Sequence, residues 1–414
     1  MSEGFLGLLT PDASEVMAEV GSPALRNIGM AIGALSICRL ALDLPAVGRR
    51  LRLCWPVLVP VGVALASIFW SADADLAMRR SLALVLTTLF ALFLAIRFDH
   101  RQLINCVVAA LLLYCVGSLV LIFGAPRIGT HTAAETRFYE HVGAWRGLSA
   151  FKNDFGRMAA FSALVFTVVA LVRRPRSLVL LGAAGLAVVL VVGSRSGQAV
   201  SLLALTGGAL LYMLILDRMD RRMRTAFLVM SMPIGLFLLM IGPTLVSMAL
   251  SALGKDPTLT GRLEIWPAVI TALDGHILFG GGYGSGWGTL VNARMNELLG
   301  RQIGHAHNGY LNLIVDIGII GLAVTLGVLA LLIVQVYRRL SREGAGELVL
   351  LAVLTIAFTL AGNWVGSFLL KFNTVFWVLV VFMYSELARS AHETLTGGGA
   401  LRGSILLRLN AESR

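Results

Sequence analysis

The sequence is short of charge, and shorter of acid than of base. Only 14% of its 414 residues are charged, with 23 Asp and Glu against 34 Lys and Arg. Soluble domains carry about 25% charged residues, so an ordinary water-facing surface is excluded. Cysteine is scarce: Cys38, Cys54, Cys106 and Cys115 lie in or beside apolar runs, in no disulfide or zinc pattern. The alternating segments of a membrane barrel are absent. The first twenty residues carry Glu3, Asp12, Glu15 and Glu19 and lack the basic region of a cleavable signal peptide. No internal repeat and no soluble domain is visible.

What is abundant is apolar run: 57% of the residues are hydrophobic. Repeated stretches of about 17–25 such residues read as transmembrane helices, which satisfy their own backbone in lipid. The expectation is an all-α polytopic membrane protein of about 11 spans (10–12). They lie near Leu25–Leu44, Trp55–Trp70, Ser81–Ile96, Leu103–Phe123, Phe155–Val172, Leu178–Val192, Gln198–Leu216 and Ala226–Leu250, then after His307, near Leu348–Ala361 and near Thr374–Leu387. The span after His307 reads as two pieces, a short mouth helix and then Ile319–Val336.

The formal charge of +11 fits Arg-rich cytoplasmic loops better than nucleic acid. Arg49, Arg50 and Arg52 follow the first span. Arg173, Arg174 and Arg176 follow the fifth, Arg218, Arg221, Arg222 and Arg224 the seventh, and Arg338, Arg339 and Arg342 the ninth. Simple alternation puts all of them on one side, with Arg389, Arg402, Arg408 and Arg414. A membrane domain over 1–390 then contains a long outer loop, 251–307, bearing short helices, and 391–414 is a cytoplasmic tail.

Polar groups of chemical interest gather on the other side. Arg195 lies in Gly193-Ser194-Arg195-Ser196-Gly197, a turn too short to leave the membrane surface. Such an Arg is costly unless solvated, paired or functional; it either snorkels to lipid phosphates or meets a phosphate beside Ser194 and Ser196. Arg262 follows Thr260, which is placed to cap a helix, and precedes the interfacial Trp266. Its bland reading is a surface pair with Glu264. Two outer arginines together are suited to hold a diphosphate by bidentate hydrogen bonds and to stabilise it as a leaving group. His307 opens the ninth span; an imidazole there reads either as an interfacial group bonded to backbone or as a base orienting a hydroxyl. Asn308 caps or orients it, and Tyr310 follows. Asp316 lies too deep to partner His307 if the helix is continuous. His305 and His307 find no carboxylate or cysteine set for a metal. Phe279–Trp287 is rich in glycine but lacks the Gly-Lys-Ser/Thr ending of a P-loop; it reads as a lid-like loop offering Tyr283 and Trp287 to a sugar or lipid, or as a plain turn. Arg146 and Lys152 add positive charge at the fifth span's entry.

This ordered set resembles the O-antigen ligase and Wzy-type polysaccharide polymerase superfamily, whose ligases share His-(Asn/Ser/Gln)-x9-Gly-x-x-Gly. Here the motif is His307-Asn308, nine residues, then Gly318 and Gly321. The resemblance includes Arg146–Asn153, Ser194-Arg195-Ser196, Thr260-Gly261-Arg262 with Trp266, and Gly280–Trp287, a core of about 146–336. It implies a metal-independent, inverting, GT-C-like glycosyltransferase of the bacterial inner membrane, with its active site facing the periplasm. It implies an undecaprenyl-diphosphate-linked oligosaccharide as substrate, no cofactor, and the membrane lipid, a chain-length regulator and a flippase as partners. It carries catalytic roles to His307, Arg262 and Arg195. Within the superfamily the Leu-Thr-Gly-Arg and Ala-His-Asn-Gly-Tyr-Leu segments resemble exopolysaccharide polymerases more than ligases that load lipid A core. A lipid-linked glycan flippase is the rival of another class, disfavoured by the absence of repeated halves and mid-membrane charge.

Overall fold

Amides in lipid must be bonded within their own segment, and the chain meets this with helices. The computed structural model describes residues 23–133, 141–173, 177–220, 222–227, 229–230, 262–299 and 304–392. Among the described residues there is no strand, only a bridge between Thr130 and Trp145. In chain order the main helices are α1 (Pro23–Ala41), α2 (Leu44–Ala66), α3 (Ala74–Arg97), α4 (His100–Gly124), α5 (Lys152–Val172), α6 (Ser177–Ser194), α7 (Gly197–Asp217), α8 (Arg262–Ala272), α9 (Asn292–Leu299), α10 (Gly309–Glu343), α11 (Glu347–Gly362) and α12 (375–392). Among the described residues seven helices are long and apolar enough to cross a membrane: α2 with its extension to Phe69, α3, α4, α5, α6, α7 and α10. The chain is thus an all-helical, multi-pass membrane protein. The span expected at Ala226–Leu250 falls almost wholly outside the described residues, as do the N-terminus and most of the tail.

Local signals set the boundaries. Asp73 caps α3, and Asp99 with Gln102 forms a reciprocal capping box on α4. The start of α2 and the end of α10 differ from the sequence expectation, α10 running on to Glu343 through Arg338, Arg339 and Arg342. The side chain of Asp43 accepts from the amide of Ala46, and a proline stands at the start of α2, a pairing that nucleates a helix. Arg49, Arg50 and Arg52 therefore sit in the first turns of α2 rather than in a loop. The helix then kinks at Cys54, just before Pro56 and Pro60, as a missing donor and a ring clash require.

Contacts sort the helix ends into two faces. On the basic face Arg50 donates to the carbonyl of Ala95 at 2.6 Å and to Glu386 at 2.8 Å, tying α2, α3 and α12. Arg173 pairs with Glu347 at 2.7 Å, tying α5 to α11, and Asp217 accepts from Ala345 at 2.8 Å. Glu386 and Glu347 are buried; removing one partner of such a pair costs about 3–5 kcal/mol. On the opposite face lie the segments around 67–71, 130–133, 141–153, 194–198, 262–299, 304–308 and 363–373, and the bonds below join these to one another. Between the faces α5 and α12 form the centre. Phe161, Phe358, Phe368 and Phe376 interlock there, with Phe358 and Phe376 stacked at 5.3 Å.

Candidate functional site

His307 stands in the left-handed backbone region, at φ 49°, immediately before α10. Asn308 caps that helix: its Oδ1 accepts from the amides of Tyr310 at 3.0 Å and Leu311 at 3.3 Å. The Asn308 side chain is therefore committed to backbone, and it is buried. The ring of His305 packs edge-on against that of His307, with centroids 3.9 Å apart, and its Nδ1 accepts from the His307 amide at 3.1 Å. Tyr310 donates its hydroxyl to the carbonyl of Leu360 at 2.7 Å, fixing α10 to α11.

Two further segments converge on this helix start. The indole Nε1 of Trp266, on α8, donates to the carbonyl of Ala306 at 3.0 Å. Arg262 begins α8 one turn before Trp266, so the same helix that grips the His307 turn carries Arg262 at its N-terminus; its side chain lies outside what is described. The second segment is the turn after α11. The carbonyl of Asn363 accepts from the Gly309 amide at 2.7 Å, and Asn312 Nδ2 donates to Ser367 at 2.7 Å. Trp364 on this turn is exposed and lies against Tyr310 and Trp266, at 5.7 and 6.3 Å between centroids.

The Gly318/Gly321 part of the motif has a structural cause. Helix α10 breaks at Ile317 and Gly318, the latter at φ 71°, which bears out the reading of this span as two pieces. The amides of Ile319 and Ile320 turn outward to the carbonyls of Ile277 and Leu278, at 2.9 and 3.3 Å. Those of Gly281 and Gly282 bond the carbonyls of Val315 and Asp316, both at 2.8 Å. A Cβ on Gly318 would overlap the carbonyl of Leu278, and one on Gly321 the side chain of Ile317.

The 279–287 loop is accordingly clamped rather than lid-like. Tyr283 is 3% exposed; its amide donates to Ser67 at 2.8 Å and its hydroxyl to the carbonyl of Leu370. Burial pushes the phenol above its ordinary range. Tyr283 thus anchors the loop instead of offering a face to sugar. Arg80 donates to the Gly284 carbonyl, and Ser71 bonds Ser285 at 2.8 Å. Trp287 is half-buried in a π-helical turn, Trp287–Val291, against a small core that includes Ala306 and Val315.

Arg195 is exposed at φ 50° and donates to the carbonyl of Val142 at 3.3 Å. Its flanking serines point inward. Ser194 bonds the carbonyl of Val191 at 2.6 Å, and Ser196 donates to Asn153 at 2.8 Å while capping α7. Both are buried, so they build the turn and leave Arg195 as its exposed polar side chain. Arg146 is also buried, donating to the carbonyls of Ile128 at 2.8 Å and Arg127 at 3.2 Å. Lys152 opens α5, and its amide donates to Nε2 of His131 at 3.1 Å. That bond requires a bare Nε2, hence a neutral ring. Burial, with Arg146, His141 and Lys152 nearby, lowers the His131 pKa to about 4.

Arg195, His307 and the start of α8 therefore share one face. Among the described residues no three His, Cys, Asp or Glu converge as a metal-ligating set. Sequence reasoning missed His131, Asn363, Trp364 and Arg157. For Arg157 the signal was present: a charge within an apolar run, three residues after Asp154.

Residues 180–326, which hold Arg195, Arg262, His307, Gly318 and Gly321, match the family described as O-antigen ligase. The chain is also similar to the exopolysaccharide production protein ExoQ of Rhizobium meliloti (strain 1021), at 29% identity over 335 residues, 75% of this chain and 74% of the relative. The match over the residues that build the His307 mouth, together with this relative, makes the chain similar to the O-antigen ligases and to a protein of exopolysaccharide production.

Proposed function

We propose that this chain is a glycosyltransferase of the bacterial inner membrane that polymerises undecaprenyl-diphosphate-linked glycans at the periplasmic face. What carries this reading is backbone strain at two of the three expected catalytic residues. Four non-glycine residues have positive φ among those described, and Arg195 and His307 are two of them. A left-handed L-residue costs about 1–2 kcal/mol, and such strain collects at functional sites. The third expected residue, Arg262, opens the helix bonded to the His307 turn. The Arg-rich opposite face fits the cytoplasm.

In this mechanism Arg195 and Arg262 hold the donor diphosphate, and the polyprenyl tail lies in lipid. His307 orients an acceptor hydroxyl and takes its proton. The acceptor oxygen attacks the anomeric carbon from the face opposite the diphosphate. The carbon–oxygen bond to the diphosphate breaks and its electron pair leaves with the phosphate, so the anomeric centre inverts. Charge grows on the leaving group, and the arginines meet it more strongly in the transition state than in the ground state. With cations from the protein doing this work, transfer proceeds without a divalent ion.

Polymer formation is favoured over transfer to lipid A core because the relative is named for exopolysaccharide production. The test is purified protein in detergent with lipid-linked repeat units, in chelator and without an ion gradient. Polymer forms, and Arg195→Ala, Arg262→Ala and His307→Ala each lower the rate about 10²–10³-fold at unchanged protein level. Full polymer yield from both arginine variants, or strict metal dependence, defeats the mechanism. Movement of intact lipid-linked glycan with no new linkage identifies a flippase instead.

A further inference from the structure

Arg157 has no part in the mechanism above, yet its side chain joins three elements on the site face. Its side chain is 14% exposed and pairs with Asp154. Nη1 donates to Gln198 Oε1 at 3.1 Å and to the carbonyl of Val365 at 3.4 Å. The guanidinium carbon lies 5.3 Å from the centroid of Phe368. A planar fork of donors suits a junction of several elements as an ammonium does not, and here three meet: α5, α7 and the turn after α11.

Each of the three leads to a different part of the site. Gln198 lies three residues beyond Arg195, and Asn153, at the head of α5, holds Ser196 at 2.8 Å. The turn from Asn363 to Phe368 holds the head of α10 through the 2.7 Å bonds to Gly309 and Asn312. Asn312 Oδ1 in turn accepts from the Ala306 amide at 3.0 Å, next to His307. A continuous bonded path thus runs from the Arg195 turn through Arg157 to the His307 turn. Asp154 satisfies the charge of Arg157, so the guanidinium is committed to protein.

We propose that Arg157 is a positioning residue: it fixes the separation between the Arg195 turn and the His307 turn, resting on the transfer function above for its purpose. The test needs a geometric readout that works without substrate. Gly197 and Gly288 are exposed and have open space around a Cβ. Residue 288 adjoins the small core that contains Ala306, so it reports the His307 side. Spin labels go at Gly197→Cys and Gly288→Cys, in full-length protein with the exposed Cys38 and Cys106 changed to Ser. The parent gives one narrow distance distribution. Arg157→Gln broadens it at least about twofold and lowers kcat about tenfold or more, with KM for the lipid-linked donor held within about threefold, as expected for misplaced reacting groups. Arg157→Lys restores little of either, because one ammonium does not replace a three-way fork. Gln198→Ala removes one link and shifts both readouts in the same direction by less, which keeps the test open should Arg157→Gln fail to accumulate. An unchanged distribution in these variants overturns the proposal, as does a raised KM at unchanged kcat, which would mark Arg157 as a direct substrate contact. A parent protein inactive on lipid-linked glycans overturns the transfer reading alone, since the distance measurement still reports the linkage.

Discussion

The indole of Trp266 donates to the carbonyl oxygen of Ala306 at 3.0 Å. This bond links two segments forty residues apart and sets α8, which begins at Arg262, against the turn that holds His307. Trp266→Phe keeps the aromatic packing and removes the donor. One hydrogen bond of this kind contributes about 1 kcal/mol, so the melting temperature in detergent falls only slightly. Transfer slows about tenfold or more, since reacting groups tolerate little misplacement. A variant with full activity would show that α8 does not need this bond to present Arg262.

Strain and chemistry at His307 are separable. Asn tolerates the left-handed region better than other non-glycine residues. His307→Asn should therefore keep the stability of the parent, and His307→Ala should lose about 1 kcal/mol more. Both should be inactive if the imidazole handles the proton. Thermal unfolding and polymer assays on the pair give the two answers independently.

The break in α10 makes its own prediction. Gly318→Ala brings a Cβ onto the Leu278 carbonyl at a positive φ; it should expel the 277–286 loop and abolish both folding yield and activity. Gly327, on the same helix, meets nothing within 4 Å of a Cβ, and Gly327→Ala should stabilise by about 0.5–1 kcal/mol. Detergent melting curves decide. Equal behaviour of the two variants would mean that the loop does not depend on the break.

The lowered pKa of His131 gives a pH window. Burial lowers the folded ring's pKa to about 4 from the ordinary 6.5, so between these values the unfolded chain binds more protons than the native one. Stability is then greatest above pH 6.5, falls as pH drops toward 4, and levels off below. His131→Gln keeps an acceptor for the Lys152 amide without a titrating ring. The parent should lose melting temperature between pH 7 and pH 4.5 more steeply than this variant; parallel curves would exclude His131 as the source.

Much of this was written along the chain, because lipid as a solvent leaves few choices. Apolar runs must be helices, and the Arg clusters orient them, so the helices and the sharing of one face by Arg195 and His307 follow from the sequence. So does the broken span, since Gly318 and Gly321 interrupt an otherwise apolar helix. What the chain alone does not reveal is which polar side chains face inward. Ser194, Ser196 and Tyr283 read as substrate contacts because their types fit phosphate and sugar; packing buries all three, Ser194 and Tyr283 on backbone carbonyls and Ser196 on the Asn153 side chain. Arg157 shows in the sequence only as a charge in an apolar run three residues after Asp154, and only folding brings Gln198, Val365 and Phe368 around it. Length, hydropathy and charge are local, one-dimensional quantities, and they determined the helices and their direction. The long-range partners, such as Gln198 and Val365 for Arg157, Asn153 for Ser196 and Leu370 for Tyr283, lie tens to hundreds of positions away, and those the tertiary structure alone decided.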